Sequence, residues 1–242
     1  MIKLEKTEVL GWEHAIRGMR NPMNSWDRMD TLRCIDHPTC EDCPMQDEKG
    51  QCNKPFDVVH VIGPNDHELM MKLAKGGPVH AKYRRMITVY VDITAPLYWW
   101  KEFDTYKVGT VANSCSTMHK IHAKEFELGD FSTEHLFDED SFGVQVYSLD
   151  VFRQIIESLN IARDAYLATK DKRYWNQMIQ LLPSSYNQKR TVMLNYEVLT
   201  GIYPSRKNHK LDEWHVFCDW IEKLPYSELI VGEKEKENER FQ

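Results

Sequence analysis

Residues 95–119 read APLYWWKEFDTYKVGTVANSCSTMH, and this stretch is the most informative part of the chain for its fold. Its first half is aromatic, and its second half ends in the polar run NSCST at 113–117. Short polar side chains bond back to their own backbone, so they disfavour a helix and favour a loop. One interpretation of an aromatic segment that leads into such a loop is a pocket for a flat, phosphorylated ligand. Composition alone favours the other interpretation, a buried aromatic helix followed by an ordinary polar loop, because aromatic stripes are usually core.

The segments on either side predict an α+β fold with few strands and many helices. Residues 1–10 and the alternating, β-branched run Met86–Ile93 are typical of strands. Apolar periodicity and stop signals predict helices at Trp12–Arg20, from Pro64 to about Gly76, and at Leu97–Tyr106, Leu149–Ala168, Lys172–Leu182, Arg190–Tyr203 and Leu211–Leu224. We interpret 1–232 as one domain, 30–57 as a loop inserted into it, and 233–242 as a charged tail.

Composition excludes several classes of function. The net charge of −6 argues against broad binding to nucleic acid or to a membrane surface, which needs a basic surface. No apolar run approaches the ~18–20 residues of a membrane span. The first twelve residues carry charges where a signal peptide needs an apolar core, so we expect a cytoplasmic protein with reduced cysteines.

Four cysteines lie close together in the predicted insertion. Cys34, Cys40, Cys43 and Cys52 follow the pattern C-x5-C-x2-C-x8-C. The central C-x2-C has the spacing with which two thiolates share one tetrahedral metal, and a structural Zn²⁺ would order a loop that has no core of its own. An iron–sulfur cluster also takes four thiolates, and four free cysteines are the third interpretation.

A basic and polar cluster lies between Pro183 and Lys210 in a chain that is acidic overall. If Arg190–Tyr203 is a helix, its N-terminal amides and Lys189 together form a phosphate site. Arg206 is then available for a bidentate contact with a second group. A solvated surface is the alternative, because Lys and Arg lie at the surface by default.

Taken together, these segments resemble the flavin-dependent thymidylate synthase (ThyX) family. That family has an Ala-Pro and an aromatic helix with a Gln, followed by R-H-R-x-x-S-x-N-E-x-S-x-R-Y. Here Ala95-Pro96 opens the segment, Glu102 stands at the Gln, Thr105–Lys107 stands at Arg-His-Arg, and 113–119 follows after a one-residue insertion. The family's C-terminal pattern is matched in order by Leu182-Pro183, Lys189, Asn195, Leu199 and Arg206.

The resemblance implies a ThyX-like α+β domain with a small antiparallel sheet, and it assigns roles to particular residues. The implied catalytic residues are Glu102, Lys107 and Arg206. The implied substrate-binding residues are Ser114, Ser116, Thr117, Lys189 and Arg206. The implied cofactor-binding residues are Thr105, Tyr106, Lys107, Asn195 and His119.

The implied activity is transfer of a one-carbon unit to C5 of a uridylate-type nucleotide such as dUMP. FAD is the implied cofactor, with a folate one-carbon donor, NADPH and a homotetramer. The chain departs from the family at Arg-His-Arg, where Lys107 alone keeps a cation, and Met118 replaces a further Arg. A nucleotide- or flavin-binding relative without catalysis is therefore a second hypothesis. An unrelated metal-binding interaction protein, organised by the cysteines, is a third.

Overall fold

The chain folds into strands and helices over residues 2–33, 60–137 and 147–232, the part that the computed structural model describes. The strands are β1 (Lys3–Leu10), β2 (Leu32–Arg33), β3 (His60–Val61), β4 (Thr88–Pro96), β5 (Val111–Ser114) and β6 (Asn187–Asn195). The helices are α1 (Trp12–Arg20), α2 (Pro64–Lys75), α3 (Leu97–Phe103), α4 (Thr117–Lys120), α5 (Ser148–Thr169), α6 (Lys172–Leu181), α7 (Tyr196–Arg206), α8 (Asp212–Glu222) and α9 (Glu228–Val231). The predicted α+β class is confirmed. Within these ranges no helix is both long enough and apolar enough to span a membrane.

A four-stranded antiparallel sheet has the order β1-β4-β6-β5. Alternate residues of β4, namely Val89, Val91 and Ile93, are fully buried, as the period of two along a strand requires. β5 lies at one edge of the sheet, and all four of its residues are exposed. The small antiparallel sheet expected from the resemblance is confirmed.

The described chain forms two compact units, and each of them is built from separate stretches of sequence. The first unit takes its residues from Met1–Glu5, Asp92–Thr105 and Ala112–Thr191. The second takes its residues from Lys6–Val91, Tyr106–Val111 and Val192–Gln242. Strands β1, β4 and β6 each contribute residues to both.

Aromatic residues fill the interior of the first unit. Trp99 stacks on Phe103 with ring centroids 5.0 Å apart, and Trp100 meets Trp99 edge to face at 4.9 Å. Burial of each such side chain stabilises the fold by roughly 1.5–3 kcal/mol. A further apolar cluster includes residues of α5 and α6 and is formed by Ile121, Phe126, Phe131, Phe152, Leu159, Ala162 and Met178.

The second unit is packed around Trp12 and α7. The Trp12 ring contacts Tyr196 and Tyr226 edge to face, at centroid distances of 5.4 and 5.3 Å. The Tyr196 hydroxyl donates a hydrogen bond to the Pro225 carbonyl, so the first residue of α7 is bonded to the segment before α9. These contacts hold α7 firmly, which matters because Arg206 lies at its other end.

The helix predicted at Arg190–Tyr203 is wrong over its first half. Residues up to Asn195 form β6, and α7 begins only at Tyr196. Asn195 caps α7, since its side-chain oxygen accepts a hydrogen bond from the Val198 N–H at 3.1 Å. Lys189 therefore lies in a strand, and the phosphate site predicted at a helix N-terminus beside it does not exist.

A short antiparallel pair of strands flanks the segment 34–59. Leu32 pairs with Val61 and Arg33 pairs with His60, so the described chain before position 34 and after position 59 lies side by side. Of the predicted insertion 30–57, only residues 30–33 belong to the described part of the chain, and the cysteines at 34, 40, 43 and 52 lie outside it.

A buried ion pair joins the segment just before β2 to α1 and α2. Asp66, which is fully buried, accepts hydrogen bonds from Arg20 Nε and Thr31 Oγ1, both at 2.6 Å. Asp30 in turn accepts hydrogen bonds from the backbone N–H groups of Asn65 and Asp66 in the first turn of α2. A side chain at Gly63 would overlap with Asp30, so this close approach requires glycine.

The charge state of Asp66 couples this network to pH. Burial alone would raise the pKa of Asp66, but hydrogen bonds from Thr31, Arg20 and the Asp30 backbone outweigh it and hold the pKa below its ordinary value. A lowered carboxyl pKa contributes stability that is fully present above the ordinary pKa of ~4 and is lost as pH falls through the folded value.

Asp66→Asn is expected to destabilise the protein by about 3–5 kcal/mol at pH 7, because it leaves Arg20 buried without its anion. Urea unfolding measures this difference, which should shrink as the pH is lowered below about 4. The exposed substitution Asp27→Asn is the control and should change stability by less than about 0.5 kcal/mol. Equal losses for the two variants would contradict the role given to Asp66.

Candidate functional site

The aromatic helix α3 belongs to the core and is not a ligand-stacking surface. Trp99, Trp100 and Phe103 are each at most 1% exposed. The structure therefore supports the interpretation of this segment as a buried aromatic helix. The helix ends at Phe103, three residues earlier than predicted. Glu102 is half-buried in its last turn, and its carbonyl accepts a hydrogen bond from the Thr105 hydroxyl at 2.7 Å.

The polar run at 113–117 is exposed and lies at the sheet edge in the first unit. Ser114 ends β5, although the sequence predicted a loop there. The Ser116 hydroxyl caps the single turn α4 by accepting a hydrogen bond from the His119 N–H at 2.9 Å. Thr117 is half-buried and the His119 side chain is exposed. The hydroxyls of Ser114 and Ser116 thus stand on either side of Cys115, within reach of solvent.

Lys189 does not present an unpaired charge in this unit. Its ammonium lies 3.2 Å from Asp92 and 3.5 Å from Glu5, on neighbouring strands of the sheet. The hydrogen bond to Asp92 raises the pKa of Lys189, and the negative charges of Asp92 and Glu5 add to this. Two carboxylates around one ammonium oppose the binding of a phosphate at this position.

In the second unit Arg206 is held between aromatic rings. Its Nε donates to the Tyr106 hydroxyl at 2.8 Å, and its guanidinium carbon lies 4.5 Å from the centre of the Trp214 ring. Tyr106 itself meets Trp214 edge to face at 6.1 Å. Stacking of a planar guanidinium on tryptophan fixes its orientation, which prepares it for bidentate recognition of a carbonyl or phosphate.

The other residues predicted to bind a cofactor in this unit differ in their exposure. The Lys107 side chain is exposed. Asn195 is half-buried and caps α7, and a side chain at Gly109 would lie only 3.1 Å from its amide nitrogen. Gly109 has a φ of +77°, so glycine is needed for this turn as well as for its close approach to α7.

The sequence places Arg190 only in the basic cluster and predicts no role for Arg190 or Gln188, which both belong to the first unit. Arg190 Nη1 bonds Asp104 at 2.7 Å, and its guanidinium lies 4.1 Å above the Trp100 ring. Gln188 is buried and donates to the Cys115 carbonyl at 2.9 Å. The available signal is the alternation of side chains along a strand, and the prediction of a helix from Arg190 onward hides it.

An open cavity of about 480 Å³ lies between the end of α7 and one face of α8 in the second unit. It is lined by Lys207, Asn208, His209, His215, Cys218, Asp219 and Glu222. None of the described residues predicted for substrate or cofactor lines it. Burial raises the pKa of the Cys218 thiol to about 11, so that residue is inert at neutral pH.

The predicted metal ligands Cys34, Cys40, Cys43 and Cys52 lie outside the described residues. Among residues 2–33, 60–137 and 147–232, no group of three or more His, Cys, Asp or Glu side chains is arranged to hold a metal ion. Cys115, which is exposed, and Cys218 are free thiols.

No protein-family model matches this sequence, and no curated protein matches it. Its fold, however, is shared with solved structures. Two structures of the flavin-dependent thymidylate synthase ThyX from Helicobacter pylori with FAD and dUMP match with TM-scores of 0.60 and 0.58 at 15% and 14% identity. The matches cover 96% and 95% of this chain and 98% of each of those chains.

A UMP/dUMP methylase, PolB from Streptomyces cacaoi, bound with 5-Br dUMP, matches with a TM-score of 0.50 at 12% identity, over 92% of this chain and 88% of that one. The chain therefore has the fold of the flavin-dependent thymidylate synthases. The resemblance found in the sequence is confirmed at the level of the fold.

Asp92→Asn is expected to lower the pKa of Lys189, because it removes the nearer of the two carboxylates. NMR titration of the Lys189 side chain between about pH 9 and pH 12 measures the change. Glu5→Gln is the matched control and should lower the pKa less, since Glu5 lies farther away and is more exposed. A larger effect from Glu5→Gln would contradict this assignment.

Proposed function

We propose that this chain is a divergent member of the ThyX family that transfers a one-carbon unit to C5 of a uridylate-type nucleotide, converting dUMP to dTMP or making a related pyrimidine. The observation that carries the proposal is the fold, which is shared over 96% of the chain with a ThyX bound to FAD and dUMP. The order of the family's segments in the sequence supports it.

Arg206 is the residue we assign to the nucleotide with most support. Its place at the end of α7 matches a family position that contacts the nucleotide, and Trp214 and Tyr106 fix the plane of its guanidinium. Ser114, Ser116 and Thr117 offer hydroxyls for the phosphate. Lys189 is a weaker candidate for the phosphate, because Asp92 and Glu5 already neutralise it.

The described residues fit FAD in the chemistry of their donors. In the second unit, Lys107 is an exposed cation that can bind an anionic pyrophosphate, and Asn195 carries an amide that can bond to a ring system. In the first unit, the exposed His119 can also donate to an anionic group. When bound, reduced flavin supplies the hydride for the transfer. Lys107 is the residue that would polarise the pyrimidine, because protein cations stabilise charge that develops on its carbonyls. Glu102 is assigned to catalysis from the resemblance alone. A folate donor and NADPH are proposed from the resemblance.

A nucleotide-binding protein without turnover is the second candidate, and one observation favours it. The Thr105 hydroxyl is bonded to the Glu102 carbonyl and the Tyr106 hydroxyl accepts from Arg206, so neither replaces the cations of Arg-His-Arg. One positioned donor or charge is typically worth about 10²–10³ in turnover. Loss of two of them reduces the rate unless other groups compensate.

The remaining assignments concern assembly, location and metal. A homotetramer is proposed from the resemblance. Among the described residues, the exposure of Val108 and Val111, 91% and 60%, and the position of β5 at a sheet edge are typical of a surface that another copy covers. A cytoplasmic location is proposed from the sequence. Zn²⁺ or an iron–sulfur cluster on the four cysteines remains a proposal, and the zinc and iron content of the purified protein tests it.

Absorbance spectroscopy of the purified chain tests the enzyme proposal. We expect flavin bands near one equivalent per chain after addition of FAD, and a shift of those bands when dUMP is added. Binding of dUMP without turnover in the presence of a folate donor and NADPH would favour the second candidate. No response to either FAD or dUMP would contradict both.

Arg206→Ala is expected to weaken dUMP binding by roughly 10–100-fold, the value of a hydrogen bond to a charged group, while costing about 1 kcal/mol of stability through the lost stacking. Calorimetry measures the affinity and urea unfolding the stability. Arg85→Ala, at an exposed arginine of the same unit, is the control and should change neither. Unchanged dUMP affinity in Arg206→Ala would refute the assignment of Arg206.

A further inference from the structure

Gln188 and Arg190 lie on the same face of β6, because side chains alternate along a strand. Lys189 lies between them in sequence and points to the opposite face, where its partners are Asp92 and Glu5. The face that carries Gln188 and Arg190 contacts Trp100 and the segment around Cys115. Of the two consecutive basic side chains, that of Arg190 is therefore the one connected to the polar run at 113–117, through the Gln188 amide.

The guanidinium of Arg190 contacts three neighbouring residues. Its carbon lies 4.1 Å above the centre of the Trp100 ring, its Nη1 donates to Asp104 at 2.7 Å, and its Nε donates to the side-chain oxygen of Gln188 at 3.0 Å. The side chain is only 15% exposed, and Asp104 neutralises its charge. Arg190 thus fixes the positions of Asp104 and Gln188, and its charge is already paired.

Arg190 determines which way the amide of Gln188 points. Arginine can only donate hydrogen bonds, so the Gln188 atom facing Arg190 Nε must be the oxygen. The Gln188 nitrogen is then turned toward Cys115 and donates to its carbonyl at 2.9 Å. A reversed amide would place N–H against N–H on one side and oxygen against oxygen on the other.

Two more hydrogen bonds complete this arrangement in the first unit. The Trp100 indole donates to the Gln188 carbonyl at 2.9 Å, which fixes the backbone of β6 at this residue. The Cys115 N–H donates to the Lys189 carbonyl at 2.9 Å. Cys115 is therefore held through both its N–H and its carbonyl, and its neighbours Ser114 and Ser116 are held with it.

We propose that Arg190 and Gln188 are positioning residues: Arg190 orients the Gln188 amide, and Gln188 holds the Cys115 carbonyl so that the hydroxyls of Ser114 and Ser116 face the anionic group of a nucleotide. The proposal rests on the proposed function for the identity of the ligand. It also connects Asp104, which borders the segment assigned to the cofactor, with the segment assigned to the substrate.

Hydrogen–deuterium exchange of the Cys115 amide in the full-length protein tests the positioning directly, read by mass spectrometry of peptides covering 112–117. Arg190→Met removes the donor to Gln188 and the donor to Asp104, and leaves a side chain that still packs on Trp100. Gln188→Glu keeps the oxygen for Arg190 and removes the donor to Cys115. Each should raise the exchange rate about tenfold, the effect of one lost net hydrogen bond. Arg190→Lys, which restores one donor to Gln188, should give an intermediate rate.

Lys101→Met is the control matched in charge to Arg190→Met, since Lys101 is an exposed cation on α3 in the same unit. It should leave the exchange of Cys115 unchanged. Calorimetry with dUMP completes the test, and Arg190→Met should bind it about tenfold more weakly than Lys101→Met does.

Exchange within twofold of wild type in Arg190→Met and Gln188→Glu would overturn the proposal. Faster exchange with dUMP affinity equal to that of Lys101→Met would also overturn it, because the held segment would then not bind the nucleotide. If the wild-type chain does not bind dUMP at all, the proposed function fails, and the exchange rates alone decide whether Arg190 positions Cys115.

Discussion

The alternation of side chains along β6 is the constraint on which the rest of the candidate site depends. Consecutive residues of a strand cannot share a face, so Lys189 and Arg190 have separate partners although they are neighbours in sequence. Lys189 is neutralised by carboxylates of β1 and β4, and Arg190 is neutralised by the residue that follows α3. The same strand ends at Asn195, which caps α7 and so sets the position of Arg206 one helix length away.

Lys189 and Arg190 already have carboxylate partners, and this limits the chemistry that they can perform without rearrangement. Guanidinium groups stacked on Trp100 and Trp214 keep their planes but share their hydrogen bonds with protein oxygens. Electrostatic stabilisation of a transition state depends on donors that are oriented before the reaction. The guanidinium donors are well oriented in both units, whereas unpaired positive charge among the described candidate site residues is scarce. The chain thus shares the fold of the solved ThyX structures, and the charges of Lys189 and Arg190 are held in internal ion pairs.

Much of the fold could be predicted from local patterns, and the failures have identifiable causes. Trp12–Arg20 and Lys172–Leu181 carry apolar stripes with clear ends, and both helices are found within one residue of the prediction. The strand β6 was mistaken for a helix because Val192, Met193 and Leu194 are consecutive apolar residues, which hides the period of two. Asn195 is a favoured cap residue, and this signal for the true start of α7 is absent from the prediction, which begins the helix at Arg190.

The site was predictable only in part, because pairing between distant segments decides which side chains remain available. Arg206 was found from its spacing within a pattern, and its aromatic partners follow from the fold. The Asp92–Lys189 pair joins residues 97 positions apart, and no local rule foresees it. Composition favoured a buried aromatic helix over a ligand pocket at 95–106, and the burial of Trp99 and Trp100 agrees with it.

The two-residue ladder of β2 and β3 has a consequence for how this chain can diversify. Because Arg33 and His60 are direct partners, the polypeptide departs and returns at adjacent points, with Asp66 and Asp30 securing the departure. The free energy of closing a loop rises only by about 0.6 kcal/mol for each doubling of its length. Segments of different length can therefore join Arg33 to His60 with little change in the free energy of loop closure.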